Sequence, residues 1–202
     1  MDDDITLHSR FNRFAAVVVW ALSALMIGTA VTQWGDPRVA GLYPFAALLA
    51  LLGWAALWHP FVRIGDAGVT LRNVTHEVVV PWEALIHVET RYALTLHTST
   101  GKFTAWAAPA PGLVGSLTAR RRHGDREARA SGEALRAGDL IGTESGDAAL
   151  IVRERWRRRL DAGRVATGVA ETIRVDRRWD LPALGGLVVL TLATVGTLAA
   201  TT

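Results

Sequence analysis

The stretch "HEVVVPWEALIHVET", His76–Thr90, decides how the middle of this chain is read. Val78, Val79 and Val80 form a β-branched run of the kind that fits a pleated strand. Pro81 cannot donate to a strand ladder, so the strand ends or kinks there. Trp82 can then turn inward and plug one end of a sheet. Glu83 and Ala84 open a second strand-like run through Ile86, Val88 and Glu89.

Working outward, the same cadence fills residues 61–108. "FVRI", "GVTLRN", "HEVVVPW", "ALIHVET", "YALTLHT" and "KFTAWA" are separated by "GDAG", "NVT", "PWE" and "STG". Short strands at a spacing of about ten residues predict an antiparallel sheet or small barrel. Val69 and Leu71, and Tyr92, Leu94 and Leu96, mark faces with one side buried.

This β-rich region lies between apolar segments. Phe14–Val31, Val39–Trp58 and Leu181–Ala200 hold no charged residue. Each has about 18–20 residues, so as a helix each is roughly 30 Å long, the thickness of a bilayer core. The chain is 50% hydrophobic with a mean hydropathy of +0.22, which suits a membrane protein with a polar part. The first two segments are joined by "TQWGDPR", whose Asp36-Pro37 signals a turn, so residues 14–58 read as a transmembrane hairpin. Trp34, Trp58 and Trp179 at segment ends fit an interfacial belt. Pro44 falls in the first turns of the second segment, where a missing N–H costs least. Gly185, Gly186, Ala193 and Gly196 would let the third pack closely.

Arginine placement sets an expected orientation. Arg10 and Arg13 precede the first segment, Arg63 follows the second, and Arg174, Arg177 and Arg178 precede the third. Arg38 alone lies in the hairpin. The positive-inside rule then puts residues 1–13 and 60–178 in the cytoplasm, and the hairpin and C-terminus outside, in a multi-pass protein of the cell membrane. A cleaved signal peptide ending near "GTA" at 28–30 is the alternative for the first segment.

Residues 109–146 are rich in Gly, Ala, Arg and acidic side chains and read as a flexible insert. Residues 147–163 read as an amphipathic helix with Asp147 as cap and Gly163 as stop. Ala149, Val152, Trp156 and Leu160 share one stripe, and Arg153, Arg155, Arg157 and Arg158 fall mostly off it. Such a stripe would close the open end of the sheet. Residues 164–180 form an extended connector into the helix at 181–200. The expected class is thus an α+β membrane protein: a helical hairpin, a small antiparallel β-barrel with a capping helix, and a third transmembrane helix.

"GVTLRN", followed by "VVVPWEALIHVE", resembles the bacterial pleckstrin-homology-like domain of small actinobacterial membrane proteins of the low-molecular-weight protein antigen 6 family. Gly68, Val69, Arg72, Pro81, Trp82, Ile86 and Val88 carry the likeness, with Trp156 a further fold-defining position on the helix. The resemblance implies a partly open barrel capped by a helix at the cytoplasmic membrane face, and no established reaction. Phosphoinositide reading of the eukaryotic kind needs basic residues in the loop after the first strand. Here that loop is "GDAG", with Asp66 and no base.

The remaining chemistry is sparse. There are no cysteines, which excludes disulfides, thiolate metal sites and a cysteine nucleophile. The six histidines have no metal-ligand spacing, although His76, His87 and His97 could converge on a sheet. "TESGDAA", 143–149, reads as a linker running into a helix cap. No catalytic, cofactor or metal site is expected, and no enzyme. Nearly all basic residues are arginine, with Lys102 the single lysine. "RERWRRR" makes Arg153, Arg155, Arg157, Arg158 and Arg159 a candidate site for anionic headgroups, each worth on the order of 1 kcal/mol near a charged surface. The rival reading is the solvated face of an arginine-rich helix. "ARRRHGDR", 119–126, is interleaved with acids and lacks an aromatic platform, so nucleic acid is not an expected partner. The expected partners are the bilayer and a protein docked on the β-domain. An accessory role in a membrane complex is the further alternative.

Overall fold

The structure, a computed structural model, describes residues 4–110, 143–166 and 168–201. It forms two compact units: a β-domain closed by one helix, and a helical unit that also includes Val74–His76.

In the β-domain, β1 (Ile5–Leu7), β2 (Phe61–Ile64), β3 (Gly68–Arg72), β4 (His76–Pro81) and β8 (Asp176–Trp179) form one sheet in the order β1-β2-β3-β4-β8. β5 (Leu85–Glu89), β6 (Ala93–Thr98) and β7 (Gly101–Pro109) form a second, antiparallel sheet. Alternation does what the sequence suggested. Val62, Ile64, Val69, Leu71, Val78 and Val80 face inward from the first sheet, and Val88, Leu94, Leu96, Ala105 and Ala107 from the second. Gly68 pairs with Pro81 across the ladder. A Cβ at Gly68 would stand 2.8 Å from Pro81 Cα, so only glycine allows this approach.

Several expectations need correction. Glu83 and Ala84 do not open a strand: Trp82–Ala84 is a 3-10 turn, and β5 starts at Leu85. Tyr92 is not on the buried face, because β6 begins one residue later, at Ala93. Ile86, one of the residues that carry the resemblance, is 51% exposed. The ladder shifts register between Leu85 and His87, and a bulged strand loses its strict alternation there. Residues 1–13 are not simply a leading tail. Ile5, Thr6 and Leu7 pair with Ile64, Arg63 and Val62, and the first helix already starts at Arg10.

The closing helix, α3, spans Glu144–Asp161 and not 147–163. Its cap is Thr143, not Asp147: Thr143 Oγ1 accepts the Gly146 N–H at 3.1 Å, three residues on, as an N-cap should. Gly163 does stop it. Gly163 N–H donates to Leu160 O and Arg164 N–H to Arg159 O, with Gly163 at φ +65°, which is a Schellman ending. β7 extends to Pro109. The core of the expected insert, 111–142, lies outside the described residues. β8 falls within the expected extended connector.

The helical unit contains α1 (Arg10–Thr32), α2 (Leu42–Leu52, continued by a π turn at Gly53–Trp58) and α4 (Leu181–Thr201). The three helices Arg10–Thr32, Pro37–Trp58 and Leu181–Ala200 are long and apolar enough to cross a membrane, and make the chain a membrane protein of the α+β class. Asp36 caps the short Pro37–Val39 turn through Arg38 N at 2.9 Å. α1 meets α2 where a Cβ on Gly53 would stand 3.0 Å from Val19 Cγ1. Trp20 Nε1 donates to Ala50 O at 3.1 Å. α4 packs on α2 with Gly186 against Leu51 and Leu198 against Gly41; Gly185 and Gly196 face open space. Asp180 caps α4 through Ala183 N at 3.3 Å.

Candidate functional site

The five arginines of α3 do not form one surface. A helix advances about 100° per residue, so Arg155 and Arg159, four apart, share a face with Val152 and turn into the β-domain. Arg155 is buried, and its Nη1 donates to Ile64 O at 2.9 Å. Arg159 Nη2 reaches Asp66 Oδ1 at 2.7 Å, and its guanidinium lies 5.5 Å above the ring centre of Trp82. Arg153 Nη2 donates to Val88 O at 2.8 Å. Only Arg157 and Arg158 are exposed, and Arg158 Nε pairs with Glu154 at 3.2 Å. The expected headgroup site therefore narrows to Arg157 and Arg158. Nothing in "RERWRRR" alone marked three of its members as structural.

Trp82 sits at the junction of these contacts, as its place after Pro81 suggested. Its indole is buried, and Nε1 donates to both Gly65 O and Asp66 O at 3.1 Å. The loop between β2 and β3 is thereby bound from below by Trp82 and from the side by Arg159. The Arg159 hydrogen bond, aided by the charges of Arg159 and Arg155, holds the Asp66 carboxyl below its ordinary value of 3.8. Arg72 pairs across the ladder with Glu77 at 3.4 Å. Val69 and Val88 are core residues, and Trp156 packs half-buried against that core.

Both edges of the three-stranded sheet are engaged. At β5 the edge carbonyl of Val88 takes Arg153. At β7 the side chain of Asn73 acts as a surrogate strand. Its Nδ2 donates to Thr104 O at 2.9 Å, and its Oδ1 accepts the Trp106 N–H at 2.9 Å. Asn73 closes the barrel between β3 and β7. The sequence alone assigned Asn73 no role; its place one residue past a strand end was the available signal.

Among the described residues the outer face of that sheet is uncovered. Alternation puts Lys102, Thr104 and Trp106 of β7 outward. Across the ladder His97 pairs with Lys102 and with His87. The two imidazoles lie 5.5 Å apart, edge to face, and His97 Nε2 meets Glu89 Oε2 at 3.0 Å. Thr95 and Thr104 share a hydroxyl contact at 3.1 Å. Trp106 is 53% exposed and Tyr92, at the end of the same sheet, 77% exposed, with Arg91 over the Tyr92 ring. His76 is engaged differently, with its ring 5.7 Å from that of Trp179. The arrangement is a polar sheet face edged by large aromatic side chains.

No curated protein and no solved structure was matched by the sequence. A family model described as a bacterial PH domain does match, over residues 59–138. The matched stretch takes in β2 to β7, which is similar to a bacterial PH domain, while α3 lies beyond it.

Proposed function

We propose that the chain is a membrane-anchored binding module, which docks a protein partner on the outer face of β5-β6-β7 at the cytoplasmic side of the membrane. One observation carries the reading: Trp106 and Tyr92 are exposed beside a paired, polar sheet face. Aromatic side chains in that setting are typical anchors of protein contacts. Addition of a partner strand is disfavoured at Val88, where Arg153 takes the carbonyl, and at Thr104 and Trp106, where Asn73 takes both groups. Contact across the face is the mode that fits.

Anchoring is supported by the three apolar helices. The cytoplasmic side is supported by Arg10 and Arg13 ahead of α1, and by Arg174, Arg177 and Arg178 ahead of α4. The likeness to the actinobacterial antigen 6 family, with its hydrophobic hairpin ahead of a PH-like domain, agrees with this arrangement.

The test is affinity purification of the full chain from its own membranes in mild detergent, beside Trp106→Ser and Tyr92→Ser. A protein recovered at stoichiometric yield with the wild type and lost from both variants supports the reading. Equal recovery with all three refutes the face as the docking site.

A further inference from the structure

Arg13 has an arrangement that neither the PH-like domain nor the docking face accounts for. It lies one turn inside α1, at the border of the apolar stretch that starts with Phe14. Its guanidinium stands 4.9 Å from the ring centre of Trp58, at the end of the π turn. That ring is itself braced by Trp20, at 5.2 Å. Arg13 Nε is buried without a hydrogen-bond partner. Among the described residues no carboxylate lies within ion-pairing distance of this guanidinium, and the Trp58 ring is its contact.

An arginine stays charged, and a charge at the edge of a bilayer core needs counter-charge or hydrogen-bond acceptors. The ring face meets only part of that need. The neighbours of Arg13 on the helix are informative. Phe14, the next residue on α1, is 69% exposed, so an apolar side chain is open one helix position from Arg13. A free anion gains nothing from that ring. An amphiphile does: an acyl chain covers Phe14 while its phosphate meets the guanidinium. Arg10, exposed and three residues earlier, lies on the same side of the helix and adds positive charge there.

We infer that Arg13, held over the Trp58 ring, is a binding site for the phosphate of an anionic phospholipid. The inference rests on α1 spanning a bilayer and is independent of the docking face. It is also distinct from a headgroup site on α3.

The test uses the full chain in mild detergent, titrated with dioleoylphosphatidylglycerol or dioleoylphosphatidylcholine in mixed micelles, with bound lipid counted by native mass spectrometry. Phosphatidylglycerol is expected to bind wild type and to outcompete phosphatidylcholine. Arg13→Gln should weaken it about tenfold, the scale of one charged hydrogen bond. Arg13→Lys should recover part of that loss. Millimolar inorganic phosphate should not compete. The inference is overturned by equal binding of the two lipids to wild type, by wild-type binding in Arg13→Gln, or by competition from free phosphate. The wild-type comparison of the two lipids decides the matter even where Arg13→Gln does not fold.

Discussion

Arg155 and Arg157 are two residues apart on one helix, of one type, and have opposite fates. Arg155 is buried with its guanidinium on the Ile64 carbonyl, whereas Arg157 is exposed. Arg159 repeats the first fate and Arg158 the second. The helix period separates them: positions 155 and 159 face the domain and 157 and 158 face away. A run of like charges is therefore not a patch until its helical phase is known. Burial of arginine is tolerable here because each inward guanidinium meets an acceptor, Ile64 O or Asp66.

The comparison can be broken first at the residue beneath the inward pair. Trp82→Ala removes a buried ring and two hydrogen bonds to the β2–β3 loop, and should cost about 3–5 kcal/mol. Thermal unfolding of the full chain in detergent measures it. Arg155→Ala should come next, at about 2–3 kcal/mol, because Ile64 O loses a charged donor in a buried place. If Arg155→Ala proves as mild as a surface change, the inward assignment fails.

Acid sharpens the contrast. Arg159 holds the Asp66 carboxyl below its ordinary value. A lowered folded value stabilises the fold above the ordinary value, and that contribution is lost as pH falls through the lowered one. Below about pH 4, wild type should therefore lose stability more steeply than Asp66→Asn. Equal slopes would mean that the Arg159 contact is absent in solution. The smallest effect belongs to the outward pair: Arg157→Gln and Arg158→Gln should each lie within about 0.5 kcal/mol of wild type, the latter losing only an exposed pair with Glu154.

The same contrast explains what the sequence could disclose. The strands from β2 to β7 were legible because turn residues such as Gly65-Asp66 and Ser99-Thr100-Gly101 punctuate alternating apolar runs. The three membrane helices were legible from length and composition. Trp82 was legible because Pro81 stops a strand beside a large aromatic. β1 was not, since three residues carry no measurable period. The outward turn of Ile86 was not legible either, because a one-residue bulge exposes an apolar side chain without changing the pattern around it. Asn73 and the inward arginines depend on partners 31 to 93 residues away. Their roles exist only once those partners have been brought close. Trp106 and Tyr92 read as ordinary strand aromatics, and only the register of the ladder shows which way Trp106 faces.

The most direct test of the docking face is photocrosslinking in intact membranes, with a benzophenone amino acid placed at Trp106 or at Arg157 of the full chain. The account predicts a discrete protein adduct from position 106 and none from 157. An adduct from 157 with none from 106 would contradict it and move the binding surface to the outer side of α3.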